Sequence, residues 1–362
     1  MKFVIACGGT GGHLFPGLAV AEELRRAKHE VLLLVSQKAI DERALRAFPD
    51  MPREALPSVG LTSAFSPAVL KFAQRLFASY RQCGSICDRF RPDAVLGMGG
   101  FTSIAPLAAA RRRGIPAYLH ESNAIPGKAN RLGARFCREV LLGFEDCAKH
   151  FPAGTSRVTG TPIRSELVAD VPAKARALRF LGWDPEARTL LVMGGSQGAA
   201  GINAAMADAA TYLQGSGIQV IHLSGERDAA KLGEAYRAAG VTAVVLPFCD
   251  RMQDVYPAAD LAVSRSGAAS LTELSSFGLP SILIPYPHAA EDHQTLNARI
   301  FEKAGAARLL PENEAAGASL AALLKSLLAS GASLESMAAA SRSLAPHDAA
   351  KRVADVLTHA TK

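Results

Sequence analysis

The sequence of 362 residues predicts an α/β fold built from two Rossmann-like domains whose parallel sheets face a central cleft. Three observations predict it. Short apolar runs of strand type alternate with helical stretches, glycine-rich turns follow several of the strands, and the whole pattern restarts after Thr159-Gly160-Thr161-Pro162-Ile163-Arg164. A chain of this length also exceeds one ordinary core. The boundaries follow from the restart. One domain covers 1–162 and takes back the last helix, about 346–362; the other covers 163–345.

In chain order, a strand from Lys2 to Ala6 breaks into Gly8-Gly9-Thr10-Gly11-Gly12-His13, and a helix is predicted from about Phe15 to Ala27. Val31 to Val35 is the next strand. Ala94 to Leu96 leads into Gly97-Met98-Gly99-Gly100-Phe101-Thr102-Ser103 and an alanine-rich helix. Ala117 to Leu119 leads into His120-Glu121-Ser122-Asn123, and a helix over Asn130 to Phe136 follows. In the second series Thr189 to Met193 precedes Gly194-Gly195-Ser196-Gln197-Gly198-Ala199 and another helix. Val220 to Leu223, Ala243 to Leu246, Leu261 to Val263 and Ile282 to Ile284 continue it. Between the last two, Ser264-Arg265-Ser266-Gly267 opens a helix over Ala269 to Phe277, which Gly278 and Pro280 stop.

Composition narrows the function. Apolar residues make up 49% and charged residues 20% of the chain, which excludes disorder. The net charge of +7 is uneven: residues 1–162 hold 22 basic and 13 acidic side chains, the remainder 18 and 20. The first domain alone is basic, so an anionic partner fits there, whether membrane surface, lipid head group or nucleic acid. Leu70, Phe72, Leu76, Phe77 and Tyr80, among Lys71, Arg75 and Arg81, read either as core or as a face that dips into an anionic bilayer. The six cysteines form no CxxC pair and no zinc spacing, and read as reduced thiols. No stretch reads as a signal peptide or a membrane span.

A dinucleotide fingerprint fails at Leu14, where a third glycine is needed, and no acid closes the second strand. No Lys-Ser/Thr follows a glycine loop, which excludes a Walker ATPase. Three loops at 8–13, 97–103 and 194–199, each able to offer amides to phosphate, suggest two phosphorylated ligands. With no Asp-x-Asp and no metal spacing, no metal or cofactor is expected. A diphosphate leaving group then rests on helix N-termini, hydroxyls and arginines, with Ser196, Arg164 and Ser266-Gly267 as candidates; a linker ion pair or an N-cap serves equally well. His13, whose ordinary pKa of about 6.5 suits a general base, can also hydrogen-bond a phosphate or cap its helix. Glu121 and Asn123 share that edge. Glu273, about one turn inside its helix, is a dipole partner or an acceptor for both hydroxyls of a ribose.

With these motifs in view, the sequence resembles the peptidoglycan glycosyltransferases of the MurG family from end to end. The resemblance rests on Gly8 to His13 with Phe15-Pro16-Gly17, Gly97-Met98-Gly99-Gly100, His120-Glu121-x-Asn123, Gly194 to Gly198, Arg265-Ser266-Gly267-Ala268 with Glu273, and His293-Gln294-x-x-Asn297-Ala298. It implies a GT-B fold and metal-independent, inverting transfer of N-acetylglucosamine from UDP-N-acetylglucosamine to lipid I, giving lipid II, with no cofactor. It implies a peripheral place on the cytoplasmic face of the bacterial inner membrane, an anionic membrane surface rather than nucleic acid as partner, and cell-wall synthesis proteins as further partners. For that reaction His13 is the expected base, with Glu121 as the second choice. Thr10, Gly11, Gly12, Asn123, Arg164, Ser196, Cys249, Ala268, Ala269, Ser270, Leu271, Thr272, Glu273, His293 and Gln294 are implied as donor contacts. Gly11, Gly12, Gly99 and Gly100 are implied to hold the acceptor diphosphate. Cys249 stands where the family is commonly aliphatic, and Thr161 where asparagine is frequent. An epimerase acting on UDP-N-acetylglucosamine, or a non-catalytic nucleotide-sugar-binding protein, is the competing reading.

Overall fold

The computed structural model describes the chain apart from residues 38–40, 43–44, 47, 58–67, 180, 196–197 and 360–362, and apart from the side chains of 68–71. It divides into two compact units, Met1–Arg164 with Pro346–Lys362, and Ser165–Ala345.

Among the described residues, the first unit holds a seven-stranded sheet: β1 (Lys2–Ala6), β2 (Glu30–Ser36), β3 (Arg53–Leu56), β4 (Ala94–Gly97), β5 (Ala117–Glu121), β6 (Glu139–Leu142) and β7 (Ser156–Val158). Their order is β3-β2-β1-β4-β5-β6-β7, and every pairing is parallel. Such a sheet is covered on both faces, so its central strands are apolar throughout. Alternation then decides which face each side chain joins. Phe3, Ile5, Leu33 and Leu96 pack with Leu14, Leu18 and Leu24 of the helix Gly11–Arg26 and with Val353 and Leu357 of the helix Ala349–His359. Val4, Ala6, Leu34 and Val95 pack on the other face with Cys83 and Ile86 of the helix Ala68–Phe90 and Leu107 of the helix Phe101–Arg112. The apolar stripe read from the sequence divides here. Leu76 and Tyr80 lie half-buried against this core, Phe72 meets Phe101 edge to face at 5.4 Å, and Phe77 is 60% exposed. Leu70 and the Lys71 side chain lie outside the description.

The second unit holds a six-stranded sheet, again counted among the described residues: β8 (Thr189–Met193), β9 (Gln219–Leu223), β10 (Ala243–Leu246), β11 (Leu261–Ser264), β12 (Ser281–Leu283) and β13 (Ala307–Leu309). The order is β10-β9-β8-β11-β12-β13, also parallel throughout. Leu190, Val192, Val263 and Ile282 pack with Ile202, Met206 and Leu213 of the helix Ala200–Leu213 and with Leu320, Leu324 and Leu328 of the helix Gly317–Ala329. Two parallel sheets, each packed with helices, are observed as the sequence predicts. All six cysteines are free thiols. Among the described residues no single helix is long and apolar enough to cross a membrane.

Each sheet reverses its winding once, between β1 and β4 and between β8 and β11. Ligands in open parallel sheets bind outside the strands' carboxyl ends at such reversals. The first helix differs from expectation: it begins at Gly11, not Phe15, so the second glycine pair belongs to its first turn rather than to the loop.

The exit of β1 tolerates no side chain. A Cβ on Gly8 would stand 2.1 Å from the Ser36 amide nitrogen and 2.6 Å from the Val35 carbonyl carbon, both main chain of β2. Gly8→Ala should therefore lower the unfolding free energy by about 1–3 kcal/mol, measured by urea denaturation.

Candidate active site

In the first unit Ala6 pairs with Gly97 at the reversal. β1 leaves through Gly8-Gly9-Thr10, and Thr10 is the extended N-cap of the helix Gly11–Arg26, at φ −152°. Its hydroxyl caps no amide; it lies 3.2 Å from His13 Nδ1. The helix bonds begin with His13 and Leu14 N–H donating to the Thr10 carbonyl. The Gly11 and Gly12 amides thus have no acceptor within the helix. From below, Asp41, fully buried, accepts at Oδ2 from the Gly9 amide at 2.9 Å, the Ser36 amide at 3.0 Å and the Ser36 hydroxyl at 2.6 Å.

β4 leaves through Gly99 and Gly100, both left-handed at φ 107° and 71°. The His13 ring lies on this turn: a Cβ on Gly99 would be 3.1 Å from Nε2, and one on Gly100 3.0 Å from Cε1. Backbone angle and ring contact both demand glycine here. The expectation that these two amides serve an acceptor diphosphate meets a different arrangement. Gly99 N–H donates to Ser103 Oγ at 3.0 Å, and Gly100 N–H donates to Asn130 Oδ1 at 2.9 Å. At this helix start the amides without an acceptor inside the helix are those of Phe101 and Thr102.

Glu121 ends β5, 2% exposed. Its Oε1 accepts from the Asn123 amide at 2.9 Å and Asn123 Nδ2 at 3.0 Å; its Oε2 accepts from the Gly127 amide at 3.3 Å and Asn130 Nδ2 at 2.7 Å. Burial pushes its pKa above the ordinary carboxylate value, and these four donors pull it back. Both oxygens are thus engaged, a geometry that suits a brace better than a proton acceptor. The neighbouring His120 is fully buried, with Nε2–H donating to the Gly160 carbonyl at 3.0 Å; the Ser122 hydroxyl donates to Nδ1 at 3.2 Å. Burial first, with the charge of His13 adding to it, lowers its pKa to about 4. Arg164, also in this unit, lays its guanidinium over the Phe15 ring at 4.7 Å. That ring edge would meet a Cβ on Gly11 at 3.3 Å.

In the second unit Met193 pairs with Ser264 at the reversal. β11 leaves through Arg265-Ser266-Gly267 into the helix Ala268–Ser276, whose N-cap Gly267 has no side chain to cap with. The first helix bond, Leu271 N–H to the Gly267 carbonyl, leaves the amides of Ala268, Ala269 and Ser270 without helical acceptors. Leu271 is fully buried, and Thr272, 5% exposed, bonds back through its hydroxyl to the Ala268 carbonyl at 2.9 Å. Their side chains serve the core. Glu273, half-buried just over one turn inside, accepts from the Tyr256 hydroxyl at 2.5 Å, and Tyr256 stacks on Phe277 at 4.8 Å.

The first turns of the helix His293–Lys303 are laced to this helix start. Ser266 Oγ donates to the Gln294 carbonyl at 2.8 Å, and Asn297 Nδ2 donates to the Ser266 carbonyl at 3.1 Å. Gln294 Oε1 accepts from the Tyr286 amide at 2.9 Å, and His293 Nδ1 donates to the Ala290 carbonyl at 2.7 Å. Arg265 is structural: it donates to the Ile284 and Pro285 carbonyls at 3.1 and 3.0 Å and pairs with Glu312. Cys249 follows β10, the sheet edge beyond β8 and β9 from β11, and burial pushes its thiol pKa up. In β9, buried His222 donates from Nε2 to Asn203 Oδ1 at 3.0 Å and accepts at Nδ1 from Tyr236 at 2.9 Å. Burial lowers its pKa to about 3. Ser196 lies outside the described residues. Among those described, no group of three or more His, Cys, Asp or Glu is arranged to hold a metal ion.

Asn130, Ser103, Asp41, Phe15 and Tyr256 also hold or line these helix starts, though the sequence does not single them out as site residues. None stands at a motif spacing that marks it, except that Phe15 lies in the run Phe15-Pro16-Gly17.

Two family models match the chain: the glycosyltransferase family 28 N-terminal domain over residues 3–142, and the glycosyltransferase family 28 C-terminal domain over residues 189–353. A UDP-N-acetylglucosamine–N-acetylmuramyl-(pentapeptide) pyrophosphoryl-undecaprenol N-acetylglucosamine transferase of Geotalea uraniireducens is 39% identical over 99% of this chain and 98% of its own. The enzyme of the same name from Geobacter sulfurreducens is 38% identical over 100% and 99%. Among solved structures, MurG of Acinetobacter baumannii superposes with a TM-score of 0.79 at 26% identity, covering 99% of both chains. A UDP-GlcNAc 2-epimerase from Neisseria meningitidis bound to UDP-GlcNAc reaches 0.70 at 15% identity over 99% of this chain and 100% of its own, a likeness of fold alone.

The buried histidines carry a pH signature. Each has a folded pKa below its free value of 6.5, so on acidification the unfolded chain binds a proton before the folded chain does, and stability falls. Between pH 7 and 5 each should remove about 2 kcal/mol of unfolding free energy, read by urea denaturation. His120→Asn should abolish its own share and leave that of His222.

Proposed function

The chain belongs to glycosyltransferase family 28, among the UDP-N-acetylglucosamine–N-acetylmuramyl-(pentapeptide) pyrophosphoryl-undecaprenol N-acetylglucosamine transferases, and from that premise we propose the following reaction. It transfers N-acetylglucosamine from UDP-N-acetylglucosamine to the 4-hydroxyl of the N-acetylmuramoyl unit of lipid I. The products are lipid II and UDP. The hydroxyl oxygen bonds to the anomeric carbon as the bond to the diphosphate oxygen breaks, with inversion, and a base takes the hydroxyl proton.

The observation that carries the assignment of the donor to the second unit is the uncapped helix start at Ala268 with Glu273 behind it. Three amides and the positive end of a dipole favour the anionic leaving group. The Tyr256 hydroxyl fixes one Glu273 oxygen, which orients the carboxylate for a ribose. Gln294 and His293 are then the sugar contacts of this unit, and the main chain around Cys249 the uracil contact. The first unit supplies the acceptor's anion site from the amides of Gly11, Gly12, Phe101 and Thr102. It also supplies Thr10, Asn123 and Arg164 as further polar contacts, and His13 as the base. Glu121 braces the edge. Exposed Phe77, flanked by exposed Arg75 and Arg81, supports peripheral contact with the anionic cytoplasmic membrane face, where lipid I resides.

The reading is tested by UDP release from UDP-N-acetylglucosamine with and without a lipid I analogue. Release that depends on the acceptor is expected; consumption of the donor without acceptor would mark an epimerase instead. His13→Ala should lower turnover by roughly 10²–10⁴-fold with UDP affinity unchanged. Glu273→Gln should weaken UDP binding by roughly tenfold, seen by calorimetry, since it removes a charged acceptor for hydroxyl donors.

A further inference from the structure

We infer that Asn130 is a positioning residue for His13, acting through the Gly99–Gly100 turn; the inference rests on the reading of His13 as base. Asn130 is 6% exposed. Its carboxamide spans two elements. Nδ2 donates to Glu121 Oε2 at 2.7 Å, and Oδ1 accepts from the Gly100 amide at 2.9 Å. The group cannot turn over, because exchanging its ends would set oxygen against carboxylate and N–H against N–H. Glu121 is itself fixed by Asn123 and Gly127, so the strut is anchored at its far end.

At its near end the strut holds a left-handed residue. Gly100, at φ 71°, has its N–H on Asn130, while Ser103 holds Gly99 separately. On this turn lies the imidazole. The point where a Gly99 side chain would begin is 3.0 Å from Asn130 Nδ2 and 3.1 Å from His13 Nε2, so carboxamide and ring flank one patch of main chain. If the strut is lost, the Gly100 peptide is free to rotate and the ring loses its floor. Proton transfer depends steeply on the placement of the base, so turnover suffers first. Donor binding, assigned to the other unit, is left alone.

The experiment measures transfer from UDP-N-acetylglucosamine to a lipid I analogue by wild type, Asn130→Asp and Asn130→Leu, each with His13 intact and as His13→Ala. Asn130→Asp keeps the acceptor for Gly100 but sets a carboxyl against Glu121, where two such groups share one proton. At pH 8 kcat should fall about 10–100-fold, with KM for UDP-N-acetylglucosamine within about twofold of wild type. The deficit relative to wild type should shrink as pH falls from about 8 to 6, because the shared proton restores a donor to the strut. In the His13→Ala background Asn130→Asp should change kcat by less than about twofold. Being isosteric, Asn130→Asp decides the matter if Asn130→Leu does not fold. The inference is overturned if Asn130→Asp retains kcat, or if its full deficit persists without His13. Wild type that releases no UDP with acceptor would sink the proposed reaction instead, and full turnover in His13→Ala would sink the base.

Discussion

At the carboxyl edges of both sheets, main chain passes main chain at distances that leave no volume for a side chain. A Cβ would stand 2.1 Å from the Ser36 nitrogen at Gly8, 2.3 Å from the Ala199 nitrogen at Gly194 and 2.1 Å from the Ser224 oxygen at Gly198. These bare contacts let the chain pass close to the neighbouring main chain on its way from each strand to the helix that follows. The helix amides then point over the strand ends rather than into a loop. The rest of each candidate site is built on that edge.

Bare turns need holding, and the two units hold theirs differently. In the first, buried acceptors lie under the glycines: Asp41 takes the Gly9 amide, and Glu121 reaches Gly100 by way of Asn130. A carboxyl group is costly to bury, and here amide and hydroxyl donors offset that cost. In the second, the turn at Ser266 is laced to the first turns of the helix His293–Lys303 by neutral hydrogen bonds, and buried Arg265 pairs with Glu312 and donates to two carbonyls.

What the sequence made legible follows from this division. The buried strands β1 and β8 were readable to the residue, and so was the half-buried edge strand β10 from its Val-Val-Leu run. The edge strands β3, β7 and β13 were not, nor was the interior strand β6, because runs of three or four residues that mix apolar with charged or polar side chains carry little period. Glycine turns and the helix start before Glu273 were legible because glycine and backbone amides are local features. The partners that hold them were not. Asp41, Asn130 and Tyr256 reach their targets across 32, 30 and 17 residues of chain, and no local pattern encodes a meeting of that kind. Glu121 shows the converse: an acid at a strand end invites a catalytic reading until its four donors are seen.

The difference between the two anchoring schemes has a chemical sense on the proposed reaction. A leaving diphosphate gains negative charge, so its helix start is best left uncapped, and Gly267 leaves it so. A base gains a positive charge as it takes the hydroxyl proton, and a neighbourhood that already carries buried carboxylates opposes that charge less than one of bare amides does. His120, held neutral beside His13 by its burial, adds no competing charge near neutral pH. Amides facing the ligand and acids beneath the turn therefore answer opposite needs: the first accept charge that the substrate brings, the second tolerate charge that the reaction creates.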